Sequence, residues 1–264
     1  MKFKYASISS GSCGNCHYIN YKDTSLLVDS GLSGKKTQEN LNSLNIDPKS
    51  INGILITHEH KDHIKGAGIL SRRFDLPIYA NEKTWSAMEK DLGKINDKNI
   101  KIINNNKNFD IKDIQIKSFE INHDAIDPVG YTFFNGKDKI GFITDVGLIT
   151  DHVKENILGS KLVVLESNHD EEMLKIGPYP YYLKKRVLSK LGHLSNTQAG
   201  NFAAELVKAG AKNILLAHLS GENNFPALAF ETVKQILFEK GIKVNEDFSM
   251  AVLKRQESSC LYEI

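Results

Sequence analysis

The run Thr57-His58-Glu59-His60-Lys61-Asp62-His63 sets three imidazoles and the Asp62 carboxylate directly behind the apolar stretch Ile54-Leu55-Ile56. Neutral imidazole is the commonest protein ligand for zinc and its borderline neighbours, and His-x-His followed by Asp-His offers more ligands than one tetrahedral ion takes. A strand ending at Thr57 would deliver these side chains on a turn at a sheet edge, where they converge on a small volume. A chain with this cassette is therefore expected to fold around two metal ions. The spacing differs from the helical His-Glu-x-x-His of zinc proteases, and Glu59, between two ligands, is expected to point away from them.

The remaining features set the frame for that site. With 264 residues, 41% of them hydrophobic and 25% charged, the chain reads as one soluble domain over residues 1–264. No segment approaches the roughly 18 apolar residues of a membrane span, and Met1 to Tyr5 leads into a polar, Gly-rich stretch rather than a signal core, so a cytoplasmic protein is expected. Cys13, Cys16 and Cys260 are too few for a disulfide framework, and Cys13-Gly14-Asn15-Cys16 is an isolated C-x-x-C. A net charge of +2 neither demands nor excludes nucleic acid.

Hydrophobic patterning predicts strands at Lys4 to Ile8, His17 to Tyr21, Ser25 to Val28, Gly53 to Thr57 and Ile78 to Ala80 in the first half. Helices are expected over Lys35 to Leu44, capped by Ser33, and over Ile64 to Phe74 and Thr84 to Leu92. The second half repeats the theme. Its strands run from Ile114 towards His123, then Val129 to Phe134, Lys139 to Thr144, Leu162 to Glu166 and Asn213 to Ala217; its helices are Tyr181 to Leu191, Asn196 to Ala209 and Ala227 to Glu239. Strands followed by helices in each half predict an α/β fold of four layers, two mixed sheets face to face with helices outside. Ligands would then come from strand ends: Asp29, the cassette, His123, Asp145 and His218 each follow an apolar run.

Five motifs in this order resemble the metallo-β-lactamase superfamily: Leu-Val-Asp-Ser-Gly around Asp29, the cassette, Asn-His-Asp at His123, Thr-Asp-Val-Gly at Asp145 and Leu-Ala-His-Leu at His218. The resemblance implies the αββα sandwich. It also implies that His58, His60 and His123 hold one divalent ion, that Asp62, His63 and His218 hold a second, and that Asp145 bridges them. Zinc, manganese or iron suits such donors, with zinc or manganese favoured. Two carboxylates offset part of the ionic charge, and a water held between the ions would ionise near neutral pH. Asp29 is expected to orient a histidine or a loop amide rather than to bind metal.

Substrate choice must come from residues outside this shell, because the same nucleophile attacks lactams, thioesters and phosphodiesters. His193, in Gly192-His193-Leu194-Ser195-Asn196, resembles the extra His-x-Ser/Thr element of the superfamily's phosphodiesterase branches. It would stabilise developing charge or protonate the leaving group, beside amide donors at a helix start capped by Ser195 or Asn196. Asp62, Asp145 and His193 are thus the candidate catalytic residues. The segment Lys175 to Lys190 interleaves cations with Tyr179, Tyr181 and Tyr182, which suits phosphates and stacked bases, so Lys184, Lys185 and Arg186, with Ser195 and Asn168, are candidate substrate contacts. Together, Ser-Gly-Ser-Cys-Gly-Asn, Glu-Ser-Asn-His-Asp, Tyr-Pro-Tyr-Tyr-Leu-Lys-Lys-Arg and Gly-His-Leu-Ser-Asn resemble the bacterial YycJ/WalJ-like subgroup. That resemblance implies a dimetal exonuclease working 5′ to 3′ on double-stranded DNA, with hydroxide held between the ions attacking phosphorus. A small cyclic phosphodiester, a thioester or lactam, and a purely structural metal site stand as alternatives.

Overall fold

The computed structural model describes residues 1–264. Its first half runs β1 (Lys4–Ser9), β2 (Cys16–Tyr21), β3 (Thr24–Val28), α1 (Gly34–Ser43), β4 (Gly53–Leu55), α2 (Lys61–Ile64), α3 (Ala67–Phe74), β5 (Ile78–Asn81), α4 (Glu82–Leu92) and β6 (Ile100–Ile103). The second runs β7 (Asn108–Ile111), β8 (Ile114–Glu120), β9 (Val129–Phe134), β10 (Lys139–Ile143), α5 (Asp151–Ile157), β11 (Leu162–Glu166), α6 (Glu171–Ile176), α7 (Tyr181–Val187), α8 (Asn196–Lys208), β12 (Asn213–Ala217), α9 (Pro226–Glu239), β13 (Ser249–Val252) and β14 (Tyr262–Glu263). Two seven-stranded sheets result, ordered β14-β1-β2-β3-β4-β5-β6 and β13-β12-β11-β10-β9-β8-β7. Each is mixed: β3 to β6 and β10 to β13 are parallel, and the other pairs antiparallel.

The layering follows from side-chain alternation. Leu26 and Val28 point into the core between the sheets with Tyr131, Phe142, Val164 and Leu215, while Leu27 points out against α1, α3 and α4 with Leu41, Leu70 and Met88. In the second sheet Leu162 and Val164 face inward, whereas Val163 and Leu165 meet Phe202, Ala203 and Val233 of α8 and α9. Strands covered on both faces must be apolar on both, which is why these segments read as unbroken hydrophobic runs. The helix starts are local chemistry: the Ser33 side chain accepts from Lys36 N, Ser195 and Gln198 form a reciprocal capping box, and Pro226 fills the first turn of α9.

Three expectations are corrected. The helix expected over Ile64 to Phe74 is two, α2 and α3, because Gly66 packs against the chain at Ser30 and Leu32, where a Cβ would overlap Leu32 O, and Gly66 N donates to Ser30 O at 2.7 Å. α7 ends at Val187, not Leu191: Gly192 turns back over the Arg186 and Val187 carbonyls, and His193 N donates to Val187 O at 3.0 Å. β6, β7, β13 and β14 were not anticipated, being short strands at or beside the sheet edges with weak alternation.

Candidate metal centre

Parallel strands end together, so the residues that follow β3, β4, β10, β11 and β12 gather at one rim. Asp29, Asp145 and His218 sit there in the left-handed backbone region, with φ of 60°, 55° and 56°. Such angles are costly for residues with a Cβ and recur where a functional geometry is over-determined by its surroundings. Here they turn the chain sharply off each strand, and the three side chains meet.

The ligand-bearing atoms form two overlapping groups. His58, His60 and His123 bring one ring nitrogen each within 4.8 Å of one another, as do nitrogens of His63 and His218 with an oxygen of Asp62. Asp145 lies between: Oδ2 is 3.3 Å from His63 Nε2, and Oδ1 is 3.0 Å from His218 Nδ1 and 3.8 Å from His123 Nε2. The far nitrogens are anchored. His63 Nδ1 donates to Asp29 Oδ2 (2.8 Å), His123 Nδ1 to Gly192 O (3.2 Å), and His218 Nδ1 to Asp145 Oδ1 and Glu166 Oε1 (3.0 and 3.1 Å). Thr57 Oγ1 donates to Asp29 Oδ2 and accepts from His58 Nδ1 at 3.0 Å. Each anchor fixes its ring and turns Nε2 towards the shared donor group, where Asn15 Nδ2 also lies 3.1 Å from His63 Nε2. His218 Nε2 and Asp145 Oδ2 are buried without a hydrogen-bond partner, and His58 Nε2 faces His60 Nδ1 at 3.0 Å. Orphaned donors of this kind, all N and O, are what divalent cations require; the residues fit a metal site.

The electrostatics agree. Burial, reinforced by the neighbouring His63, His123 and His60, pushes His58 well below its usual pKa. At His63 burial acts the same way, but Asp145, Asp29 and Asp62 outweigh it and hold the imidazole well above the usual range. His218 likewise rises to about 10 against its burial, through Asp145 and Glu166. Asp145 is held well below the carboxylate range because His218 and His63 overcome its desolvation.

Asp29 accepts from Thr57 N (2.8 Å), Thr57 Oγ1 and His63 rather than facing the cleft. Glu59 turns away and accepts from Ile126 N. His193 lines the same cleft of about 240 Å³ as His60, Asp62, His123, Asp145 and His218. Asn168 also lines it, and its Nδ2 donates to His218 O at 2.9 Å, so it braces the loop that carries His218. Arg186 is the one cation of the basic segment on the lining, and it pairs with Asp124.

Three expected substrate contacts are not brought to the cleft. Leu183, Arg186 and Val187 share the inward face of α7, which turns Lys184 and Lys185 outward; Lys184 Nζ donates instead to Lys175 O at 2.7 Å. Ser195 is buried, its hydroxyl used up between Gln198 N and Glu171 Oε1. The C-x-x-C is no ligand pair either: Cys16 is buried in β2, which pushes its thiol pKa far up, and Cys13 is exposed.

Sequence reasoning passed over Glu166. It ends β11 fully buried, with Oε1 accepting from His193 Nδ1 (2.8 Å) and His218 Nδ1 (3.1 Å), and Oε2 from Val146 N (2.8 Å) and Leu194 N (3.2 Å). Burial alone would raise its pKa, but His193 and the hydrogen bonds from both rings bring it down to about 2. The signal was present: Leu162-Val163-Val164-Leu165-Glu166 puts a carboxylate at the end of an apolar strand, as Asp29 and Asp145 follow theirs.

Comparison with known proteins fits this geometry. Residues 24–219 match the Beta-lactamase superfamily domain. The chain belongs to this family. It is 44% identical over 252 residues to "Exodeoxyribonuclease YycJ" of Bacillus anthracis, covering 95% of each chain, and 40% identical over 264 residues to "Exodeoxyribonuclease WalJ" of Streptococcus pneumoniae, covering 99% of this chain and 98% of the other. Its fold matches the crystal structure of the metallo-beta-lactamase fold protein YhfI from Bacillus subtilis with a TM-score of 0.75 over all of both chains, at 17% identity. The chain is a metal-dependent hydrolase of phosphoester bonds, with clustered donors for divalent metal, and no helix is long and apolar enough to cross a membrane.

Proposed function

We propose that residues 1–264 form one catalytic domain that holds two divalent ions, zinc or manganese, and degrades double-stranded DNA from the 5′ end in the cytoplasm. The observation that carries it is the His193–Glu166 pair, set beside two ligand groups that share Asp145. His58, His60 and His123 would hold one ion, Asp62, His63 and His218 the other, with Asp145 common to both. Bound there, the ions supply a water-derived nucleophile at neutral pH and a counter-charge for the phosphate. Glu166 fixes the His193 ring with Nδ1 protonated, so its other nitrogen serves the leaving oxygen as acid or charge stabiliser. Asp29 and Thr57 hold His63 and His58 in register. Asn168 keeps the His218 loop closed on the cleft. Support for DNA comes from the two relatives named as exodeoxyribonucleases, which match nearly the whole chain. Three free cysteines suit a reducing compartment.

The test couples metal analysis of the purified protein with digestion of end-labelled duplexes. Two equivalents of metal and early release of the 5′ label are expected. His193→Ala should cut phosphodiester turnover by about 10²-fold or more. Saturation at one ion, or intact DNA alongside rapid thioester turnover, would sink the reading.

A further inference from the structure

The cleft has a neighbour. A second cavity, of about 420 Å³, shares Ser220 with it, and Cys13 on its wall directly follows Ser12 on the wall of the first. Ser220 lies two residues past His218, so the two spaces meet beside the second ligand group. Arg255 lines this cavity. Its backbone is tied to the Gly-rich loop, with its carbonyl accepting from Ser9 Oγ and Lys254 O accepting from Ser10 N. Its side chain lies across Gly11 and Gly221: a Cβ on Gly11 would stand 2.8 Å from Arg255 Cγ, and one on Gly221 would collide with the guanidinium. Two glycines thus leave room for this arginine.

Arg255 is half-buried, yet its guanidinium forms no ion pair and no hydrogen bond within the chain. Other cations nearby are spent. Lys254 pairs with Glu257 at 2.5 Å on the same cavity wall, and Arg186 pairs with Asp124. Five N–H donors held in a fork without an acceptor match a phosphate, which a guanidinium takes in bidentate fashion. Pro226 also lines the cavity, at the first turn of the 14-residue α9, whose N-cap residue Phe225 supplies no side-chain acceptor. The unpaired guanidinium and this helix start make the local field positive in the cavity that adjoins the metal cleft at Ser220.

We infer that Arg255 forms a second phosphate subsite, which binds the phosphodiester adjoining the scissile one on the substrate strand. The inference rests on the phosphodiesterase reading above and adds to it the requirement for a second phosphate. A substrate with a single phosphodiester cannot fill this subsite, whereas a polynucleotide can.

The experiment compares the parent, Arg255→Ala and Arg255→Lys on an oligonucleotide duplex and on bis(4-nitrophenyl) phosphate. Arg255→Ala should lose at least about tenfold more kcat/KM on the duplex than on the small diester, and the log–log slope of duplex binding against salt should become shallower by about 1. Arg255→Lys keeps the charge but not the fork, and should recover the slope and part of the rate. A neutral methylphosphonate placed at the adjoining linkage should slow the parent by the factor that Arg255→Ala costs, and slow Arg255→Ala no further. Equal losses on both substrates, an unchanged salt slope, or additive effects of methylphosphonate and mutation overturn the subsite. A parent that hydrolyses the small diester but leaves every duplex intact overturns the DNA reading and the subsite with it; a DNA-active parent with an indifferent Arg255 overturns the subsite alone.

Discussion

Glu166 and His17 are both buried titratable groups, and they work in opposite senses. Glu166 stays a carboxylate because two rings and two amides pay for its desolvation. Replacing it with Gln keeps one oxygen for the donors at Val146 and Leu194 and turns an NH2 towards His193 and His218, which lose their acceptor and are free to turn. Changes at residues that orient ligands cost about 10–100-fold in metal affinity or activity; Glu166→Gln should fall in that range by metal titration and by duplex assay, while keeping the parent's circular dichroism. His17 bonds Tyr5 through Nδ1 at 2.8 Å and leaves Nε2 without a partner. Burial first, then the charges of His63 and His218, bring its pKa down to about 3. The folded state refuses a proton that the unfolded chain accepts below about 6.5, so stability is lost as pH falls from about 6.5 towards 3. From pH 7 to 5 this single residue accounts for about 2 kcal/mol. Urea titrations of His17→Gln should show a flatter acid limb by that amount; an identical limb would mean the ring is solvated.

Among the elements, α7 bears most directly on substrate. Its short length, ended by the Gly192 turn, swings His193 back into the cleft and presents Arg186 but not Lys184 or Lys185 to it. Arg186→Ala should therefore weaken duplex binding more than the Lys184→Ala, Lys185→Ala double variant, whose cations lie off the cleft wall and contribute only screened attraction. Equal effects in fluorescence anisotropy would show that the field of the segment, not its inward face, governs binding. The break between α2 and α3 has a comparable role. Gly31 and Gly66 allow the Ser30 loop to press against the cassette, where Ser30 N donates to His63 O and Asn15 N to Asp62 O, both at 2.7 Å. Neither break was legible beforehand, since periodicity carries a helix through any residue whose side chain would continue the apolar stripe. Edge strands β6 and β14 were missed for the converse reason: largely exposed, they lack the pattern.

For the molecule as a whole, the metal centre is a joint between the sheets. The cassette follows β4 of the first sheet, whereas His123, Asp145 and His218 follow strands of the second. Each ion that binds the folded arrangement and not the open chain adds about 2.7 kcal/mol across that joint at a hundredfold excess over Kd. Chelation of two such ions should lower Tm by roughly 10–20 °C in a chain of this size, and readdition should restore it; an unchanged Tm would place the ions outside the joint. By itself the sequence determined the four-layer plan and that candidate metal donors, N and O, follow strand ends. These rest on alternation, capping and donor type, which are local properties of the chain. Only the tertiary structure decided that Glu166 grips two histidines, that Ser195, Lys184 and Lys185 turn away, and that Arg255 stands unpaired beside the cleft. Those outcomes depend on which strand ends and loops meet across the sheets, and contacts between residues distant in the chain leave no period in it.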